Sequence, residues 1–209
     1  MKRCIDRRAG GCGPGLPRQL GFTLLEIMVV LAIATLLVLF AAPNIAALYR
    51  SMTLSAEGRR LYGAFVEAQG LATATGRPHK LKLDRVNRTW EIWSDISNDG
   101  TFAGFVKKHP QNTDGWPEHI AFGPVAGVAA AFPAPFGDVN HDAWCTPCGA
   151  DEDDGEIRFD VDGRILDDSD EILSGSILLH DTTAGSGGRV QALVFVGATG
   201  SLRLFNATE

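Results

Sequence analysis

The feature that most constrains this chain is an apolar run near its N-terminus. From Phe22 to Ala42 the sequence reads FTLLEIMVVLAIATLLVLFAA, in which Glu26 is the single charged residue. In a helix, about 20 apolar residues span the roughly 30 Å hydrocarbon core of a bilayer. The run therefore predicts a transmembrane helix over residues 22–42.

Charge is distributed unevenly on the two sides of this run. Five basic residues and one acid precede it, which gives residues 1–21 a net charge of +4 and leaves −10 for the rest of a chain whose total is −6. Basic residues that flank a transmembrane segment stay in the cytoplasm, so we expect the acidic part of the chain after the apolar run on the far side of the membrane. Its negative field disfavours a nucleic acid partner.

The start of the run carries a recognisable motif. Gly21-Phe22-Thr23-Leu24-Leu25-Glu26 resembles the prepilin signal of type IV pilins and type II secretion pseudopilins, although the preceding leader is longer than in many members. The resemblance implies that a prepilin peptidase removes residues 1–21 by cutting between Gly21 and Phe22, and that Phe22 becomes the methylated N-terminus. An ordinary secretory signal fits less well, because no A-x-A cleavage pattern follows the run.

Glu26 is the second part of the motif. A carboxylate within a membrane helix costs about 2.5 kcal/mol or more at the bilayer centre, so such a residue usually has a function. The resemblance implies that Glu26 pairs with the N-terminal amine of a neighbouring subunit during assembly. The simpler alternative is that it lies at the interface and reaches water.

The pattern predicts that the helix continues beyond the membrane over residues 43–77. Pro43 would kink the helix or mark its exit from the bilayer. Leu61, Phe65, Ala68 and Leu71 then form one apolar stripe at helical spacing. We expect the helix to run from Phe22 to Thr75 and to end at Gly76-Arg77-Pro78.

Residues 78–209 are expected to form a periplasmic β-sheet domain. Alternating patterns separated by turn residues predict strands at residues 79–83, 89–93, 157–161, 176–179, 189–196 and 201–205. The stretch from Asn98 to Ala150 is rich in Gly, Pro and Asn, and we expect little regular structure in it. Antiparallel sheets packed on the long helix would give an α+β fold.

The order of these elements also resembles the GspH/FimT group of minor pseudopilins and minor pilins. The early hairpin, the segment GEIRFDVDGRI and the final GSLRLF carry this resemblance, which implies a pilin-like fold. A loop-rich insertion at about 112–154 has no assigned counterpart.

One cysteine pair lies in the exported part. Trp144-Cys145-Thr146-Pro147-Cys148 matches the W-C-x-P-C motif of thioredoxins. The acidic residues that follow would raise a thiolate pKa, and no strand and helix of the required kind flank the motif. A structural disulfide between Cys145 and Cys148 is the favoured interpretation, with a membrane-tethered thiol oxidoreductase or a partial metal site as alternatives.

Acidic loops raise calcium as a candidate ligand. Asp95-x-Ser97-x-Asp99-Gly100 opens like an EF-hand loop, but Val106 stands where that loop needs a glutamate. The sequence therefore predicts no metal site, with Asp95 and Asp99 as weak calcium candidates. A second acidic group could also bind a cation, or simply form a solvated face: Asp151, Glu152, Asp153, Asp154, Asp160, Asp162, Asp167, Asp168, Asp170 and Glu171.

The sequence contains no motif of a hydrolase, a zinc protease or a phosphate-binding loop, and the GSGG at residues 185–188 reads as a turn. We therefore expect a subunit without enzymatic activity or cofactor. The resemblance implies a minor pseudopilin of a type II secretion pseudopilus in the bacterial inner membrane, or alternatively a minor pilin of a type IV pilus. Its expected partners are the prepilin peptidase, other pseudopilins or pilins, the inner-membrane assembly platform and lipid.

Overall fold

A computed structural model describes residues 22–109, 117–123, 145–146, 154–167, 169–183 and 189–207 of the chain. One long helix, α1 (Leu24–Thr75), comes first. The chain divides into an N-terminal unit, Met1–Ile45, and a second unit, Ala46–Glu209. The first part of α1 belongs to the N-terminal unit and the rest of α1 belongs to the second.

The predicted helix is confirmed over nearly its full length. It begins at Leu24 rather than at the expected Phe22, because Thr23 caps its first turn through a hydrogen bond from the Glu26 N–H. The helix continues through Pro43 and ends at Thr75. Gly76 follows with φ +62°, a left-handed conformation that favours glycine at a helix end.

The described residues after the helix form ten strands, all of them paired in antiparallel fashion. They are β1 (His79–Asp84), β2 (Thr89–Ser94), β3 (Gly104–His109), β4 (Ile120–Phe122), β5 (Cys145–Thr146), β6 (Asp154–Phe159), β7 (Ile165–Leu166), β8 (Gly175–Asp181), β9 (Val190–Val196) and β10 (Ser201–Ala207).

The strands form two sheets within the second unit. The first sheet has the order β3-β2-β1-β6-β7, and the second has the order β10-β9-β8-β4, with β5 also paired to β8. In the first sheet, β6 lies beside β1 although about 70 residues separate them in the chain. The α+β class predicted from the pattern is confirmed.

The core of the second unit forms where α1 packs on both sheets. The Phe65 ring of α1 lies 5.6 Å from the Phe159 ring of the first sheet and 5.7 Å from the Phe195 ring of the second. Aromatic pairs at such separations stabilise a core beyond their buried area. One aromatic side chain of the helix thus joins the two sheets.

The buried stripe of α1 differs from the predicted one at one position. Leu61, Phe65 and Ala68 are buried as expected, but Leu71 is only half-buried and Ala72 takes its place in the core. A helical turn is 3.6 residues, so the fourth residue after Ala68 lies closer to the buried face than the third.

Several strands were missed or misplaced by the sequence pattern. The stretch from Asn98 to Ala150, in which little regular structure was expected, contains β3, β4 and β5. The strand predicted at residues 157–161 lies at 154–159 instead, since Asp160 begins a turn in which it accepts from the Gly163 N–H. Most of the insertion at 112–154 lies outside the described residues, although β4, β5 and the first residue of β6 fall within it.

Candidate functional site

The candidate site is the first turn of α1 and the apolar helix that follows. The Glu26 N–H donates to Thr23 Oγ1 over 3.2 Å, and the Ile27 N–H donates to the Thr23 carbonyl. Thr23 is thus the N-cap and Glu26 the third helical residue, the spacing of a capping box. A carboxylate here also meets the positive end of the helix dipole.

Apolar side chains around this carboxylate lie uncovered. Phe22, Leu24 and Leu25 are each more than 70% exposed, and no described side chain between Phe22 and Arg50 is buried. A surface of this kind normally meets lipid or other apolar helices. Within the described ranges, α1 is the one helix long and apolar enough to cross a membrane.

Some parts of the predicted motif cannot be placed. Gly21 and the leader of residues 1–21 lie outside the described residues, so the expected scissile bond is described only on its Phe22 side. Phe22 itself precedes the helix. Cleavage at Phe22 and its methylation therefore stay predictions.

Of the predicted cysteine pair, the structure describes Cys145. Cys145 is disulfide-bonded, 7% exposed, and lies on β5, where it pairs with Ile177 of β8. Its predicted partner Cys148 and the neighbouring Trp144 lie outside the described residues. The position of Cys145 on a sheet strand agrees with a structural role for the disulfide.

The spacing of acidic residues at Asp95 resembles that of a calcium-binding loop, but these carboxylates accept hydrogen bonds from the loop's own backbone. The Asp95 carboxylate is 1% exposed and accepts hydrogen bonds from the N–H groups of Asp99 and Gly100. Asp99 in turn accepts from the Thr101 N–H. Asn98 and Gly100 have positive φ, as tight turns with Asx hydrogen bonds often do.

In the second acidic group, several of the described carboxylates also form ion pairs or accept backbone hydrogen bonds. Asp160 and Asp162 pair with Arg164, and Asp167 accepts from the backbone N–H groups of Ser169 and Glu171. Asp151, Glu152, Asp153 and Asp168 lie outside the described residues, as does the GSGG of residues 185–188. Among described side chains, no three His, Cys, Asp or Glu form a group suited to a metal ion.

The sequence analysis missed a buried acid on α1. Glu57 is 3% exposed and pairs with Arg60 of the helix and with His109 Nε2 of β3 at 3.2 Å. Its position between Leu54 and Leu61 continues the helical stripe, a signal that could have predicted its burial. Together with the ion pair between Lys107 and Glu67, this contact ties edge strand β3 to α1.

Comparisons with known proteins support the assignment of the N-terminal segment. Residues 16–42 match the family described as prokaryotic N-terminal methylation motif. The prediction of a prepilin-type signal is thereby confirmed, and the chain carries this motif. No curated protein matches the chain.

A solved structure is similar at a distance. It is the type IV minor pilin FimU of Pseudomonas aeruginosa, which is 15% identical, with coverage of 73% of this chain and 87% of that chain and a TM-score of 0.43. Identity and superposition at this level do not establish a shared function.

Proposed function

We propose that this chain is a pilin-class subunit that is anchored in a membrane by the first part of α1 and assembled into a filament. The prepilin peptidase cuts between Gly21 and Phe22, and the new amine of Phe22 is methylated. The β-sheet domain then lies on the periplasmic side, and the charge difference across the apolar run supports this orientation.

The observation that carries this proposal is the combination of Glu26 with its surroundings. Residues 16–42 match the methylation motif, the apolar helix is uncovered, and Glu26 is the single charge between Phe22 and Arg50. A carboxylate in lipid is costly unless a positive group meets it. The N-terminal amine of a neighbouring subunit, released by the cut before Phe22, is such a group.

Mass analysis of the protein from its native membrane tests processing. We expect a mature chain that begins at methylated Phe22. A chain that retains residues 1–21, or one cut after Ala42, would contradict the proposed maturation.

The assembly role is tested with Glu26→Gln, which removes the charge and keeps the shape of the side chain. We expect the variant to be cut and membrane-inserted but depleted from sheared filaments by about tenfold or more, since an unpaired amine would remain in the apolar phase. Thr35→Val, within the same apolar segment, is the control and should assemble normally. Normal assembly of Glu26→Gln would refute the pairing.

We further propose the type II secretion pseudopilus as the filament, with a minor position similar to that of the GspH group. A minor pilin of a type IV pilus is the second candidate. In the source bacterium, deletion of the gene should abolish export of type II secretion substrates if the first holds. Intact secretion with a loss of pili would instead support the second.

The proposed partners follow from the same assignment: prepilin peptidase, inner-membrane assembly platform, other subunits of the filament and lipid. A thiol oxidoreductase built on Cys145 and Cys148 would need a disulfide that cycles. A dithiol reduction assay on the purified full chain should show no turnover, and sustained turnover would restore that alternative.

A further inference from the structure

The sheet edges of the second unit differ in how well they are protected against pairing with another strand. Edge strands in proteins are commonly short, bulged or lysine-bearing, because an open edge accepts foreign strands. Within the described residues, β7 has two residues and β4 has three. The β3 edge carries Lys107 and Lys108, and its pairing with β2 shifts register between Ile92 and Trp93.

The β10 edge has none of these protections. Its pairing with β9 runs without a register shift over seven residue pairs, from Ser201–Val196 to Ala207–Val190. No described strand pairs with its other side. The strand reads SLRLFNA, which contains neither proline nor lysine. Among the described strands, β10 is therefore a long and regular edge whose outer side no other strand covers.

A groove lies along this edge. It has a volume of about 470 Å³ and is lined by Tyr62 of α1 and by Leu202, Arg203, Leu204 and Phe205 of β10. Leu202 and Leu204 alternate with Arg203, so they lie on the face of the strand that packs towards the helix, and both are half-buried. The side of the groove next to α1 is therefore apolar.

The opposite face of the strand carries one basic side chain, Arg203. Arg203 is exposed and belongs to none of the ion pairs within the described part of the chain. It pairs across the sheet with Val194, and its neighbours in β10 on that face are Ser201 and Phe205. Because no described carboxylate pairs with Arg203, an acidic side chain on an added strand would complement its charge.

We propose that β10 is a docking edge at which an extended segment of a partner protein adds as a further strand. Backbone hydrogen bonds to β10 would supply affinity, and alternate side chains would supply selectivity. The segment carries apolar residues on the face towards Tyr62, Leu202 and Leu204, and an acidic residue on the face beside Arg203. This interface goes beyond the proposed assembly through Phe22 and Glu26 and uses none of their atoms.

The test uses the full chain in detergent micelles and a labelled peptide that alternates valine with threonine and aspartate. We expect the peptide to bind, and we expect amide exchange of residues 202–206 to slow when it does. Arg203→Glu should weaken binding by about tenfold, because like charges then face each other. Arg203→Lys should retain most of the binding.

Two controls distinguish the proposed interface from non-specific electrostatic attraction between the peptide and the protein. A peptide in which lysine replaces aspartate should prefer Arg203→Glu over the wild type, and Arg77→Glu, an exposed arginine beyond the end of α1, should not change binding of the aspartate peptide. Absence of binding, equal binding by Arg203→Glu, or unchanged exchange along β10 would overturn the proposal. Concentration-dependent protection of β10 without peptide would assign the edge to a second copy of the chain instead.

Discussion

Gly58 of α1 illustrates how a single side chain would disturb the packing of the second unit. A Cβ at this position would lie 1.9 Å from Gln191 Oε1. Gln191 is 4% exposed, and its Nε2 donates to Ser55 Oγ on the helix and to Asn206 Oδ1 on β10. Its side chain therefore cannot move aside without loss of these bonds.

We expect Gly58→Ala to destabilise the protein by about 1–3 kcal/mol, although alanine is the better helix former by roughly 1 kcal/mol. Thermal unfolding of the full chain in detergent measures the effect. Gly63→Ala and Gly70→Ala are matched controls, since open space surrounds both positions. Both should be neutral or slightly stabilising, and stabilisation by Gly58→Ala as well would refute the packing argument.

His180 of β8 is expected to make stability depend on pH. Burial lowers the pKa of its imidazole below 6.5, and the nearby Arg85 acts in the same direction, against the raising effects of the Gly123 carbonyl and Asp181. As pH falls through about 6.5, the unfolded chain binds the proton first, so this contribution to stability is lost on acidification.

The measurement is the unfolding midpoint between pH 7.5 and about pH 5. His180→Gln retains a side-chain N–H that can donate to the Gly123 carbonyl, which now lies 2.8 Å from His180 Nδ1. We expect the variant to lose less stability than the wild type over this range. An equal or steeper loss would show that other groups dominate.

At the scale of elements, Gln69 joins two turns that belong to different sheets. Its Nε2 donates to the Gly163 carbonyl at 2.7 Å, in the turn between β6 and β7, and to the Gly200 carbonyl at 3.0 Å, between β9 and β10. Both glycines have positive φ, and a Cβ at Gly200 would lie 2.1 Å from the amide. The helix thereby holds the two turns at a fixed separation.

We expect Gln69→Glu to destabilise the protein by about 2–3 kcal/mol, because a carboxylate removes both donors and faces two carbonyls. Denaturant unfolding measures the change, and amide exchange in the turn before β10 should become faster. Glu67→Gln, two residues earlier on α1, breaks only the exposed ion pair with Lys107 and should cost less than about 1 kcal/mol. Equal effects of the two variants would contradict the role of Gln69.

At the scale of the whole molecule, the buried core begins well after the apolar run. The first buried hydrophobic residue of the described chain is Leu54, and the N-terminal unit ends at Ile45. The core of the second unit therefore uses no side chain of the apolar run.

We accordingly expect the fragment from Ala46 to Glu209 to fold without the apolar run and to stay in solution without detergent. Circular dichroism with a cooperative thermal transition, and sedimentation as a monomer, would confirm this. The full chain, which exposes the apolar residues 22–42, should require detergent or lipid. An unfolded fragment would show that the run contributes to stability of the second unit.

Local chemistry explains why some of the architecture was predictable. The apolar run and Glu26 depend on composition, and the end of α1 depends on Gly76 and Pro78, so both were visible in the sequence. The hairpins β1–β2 and β9–β10 join neighbouring segments through short turns, one containing Asn87 and the other Gly197 and Gly200, and they were predicted nearly in full. Their register depends on contacts close in the chain.

Tertiary structure alone decided the remaining features. β6 pairs with β1, far away in sequence, and the register shift in the β2–β3 pairing changes the alignment of Phe105 relative to Lys107. Glu57 is buried because His109 reaches it from β3. β10 forms an edge because the order of the described strands ends there. The residues that stabilise these contacts are distant from each other in sequence, so no local sequence pattern could predict them.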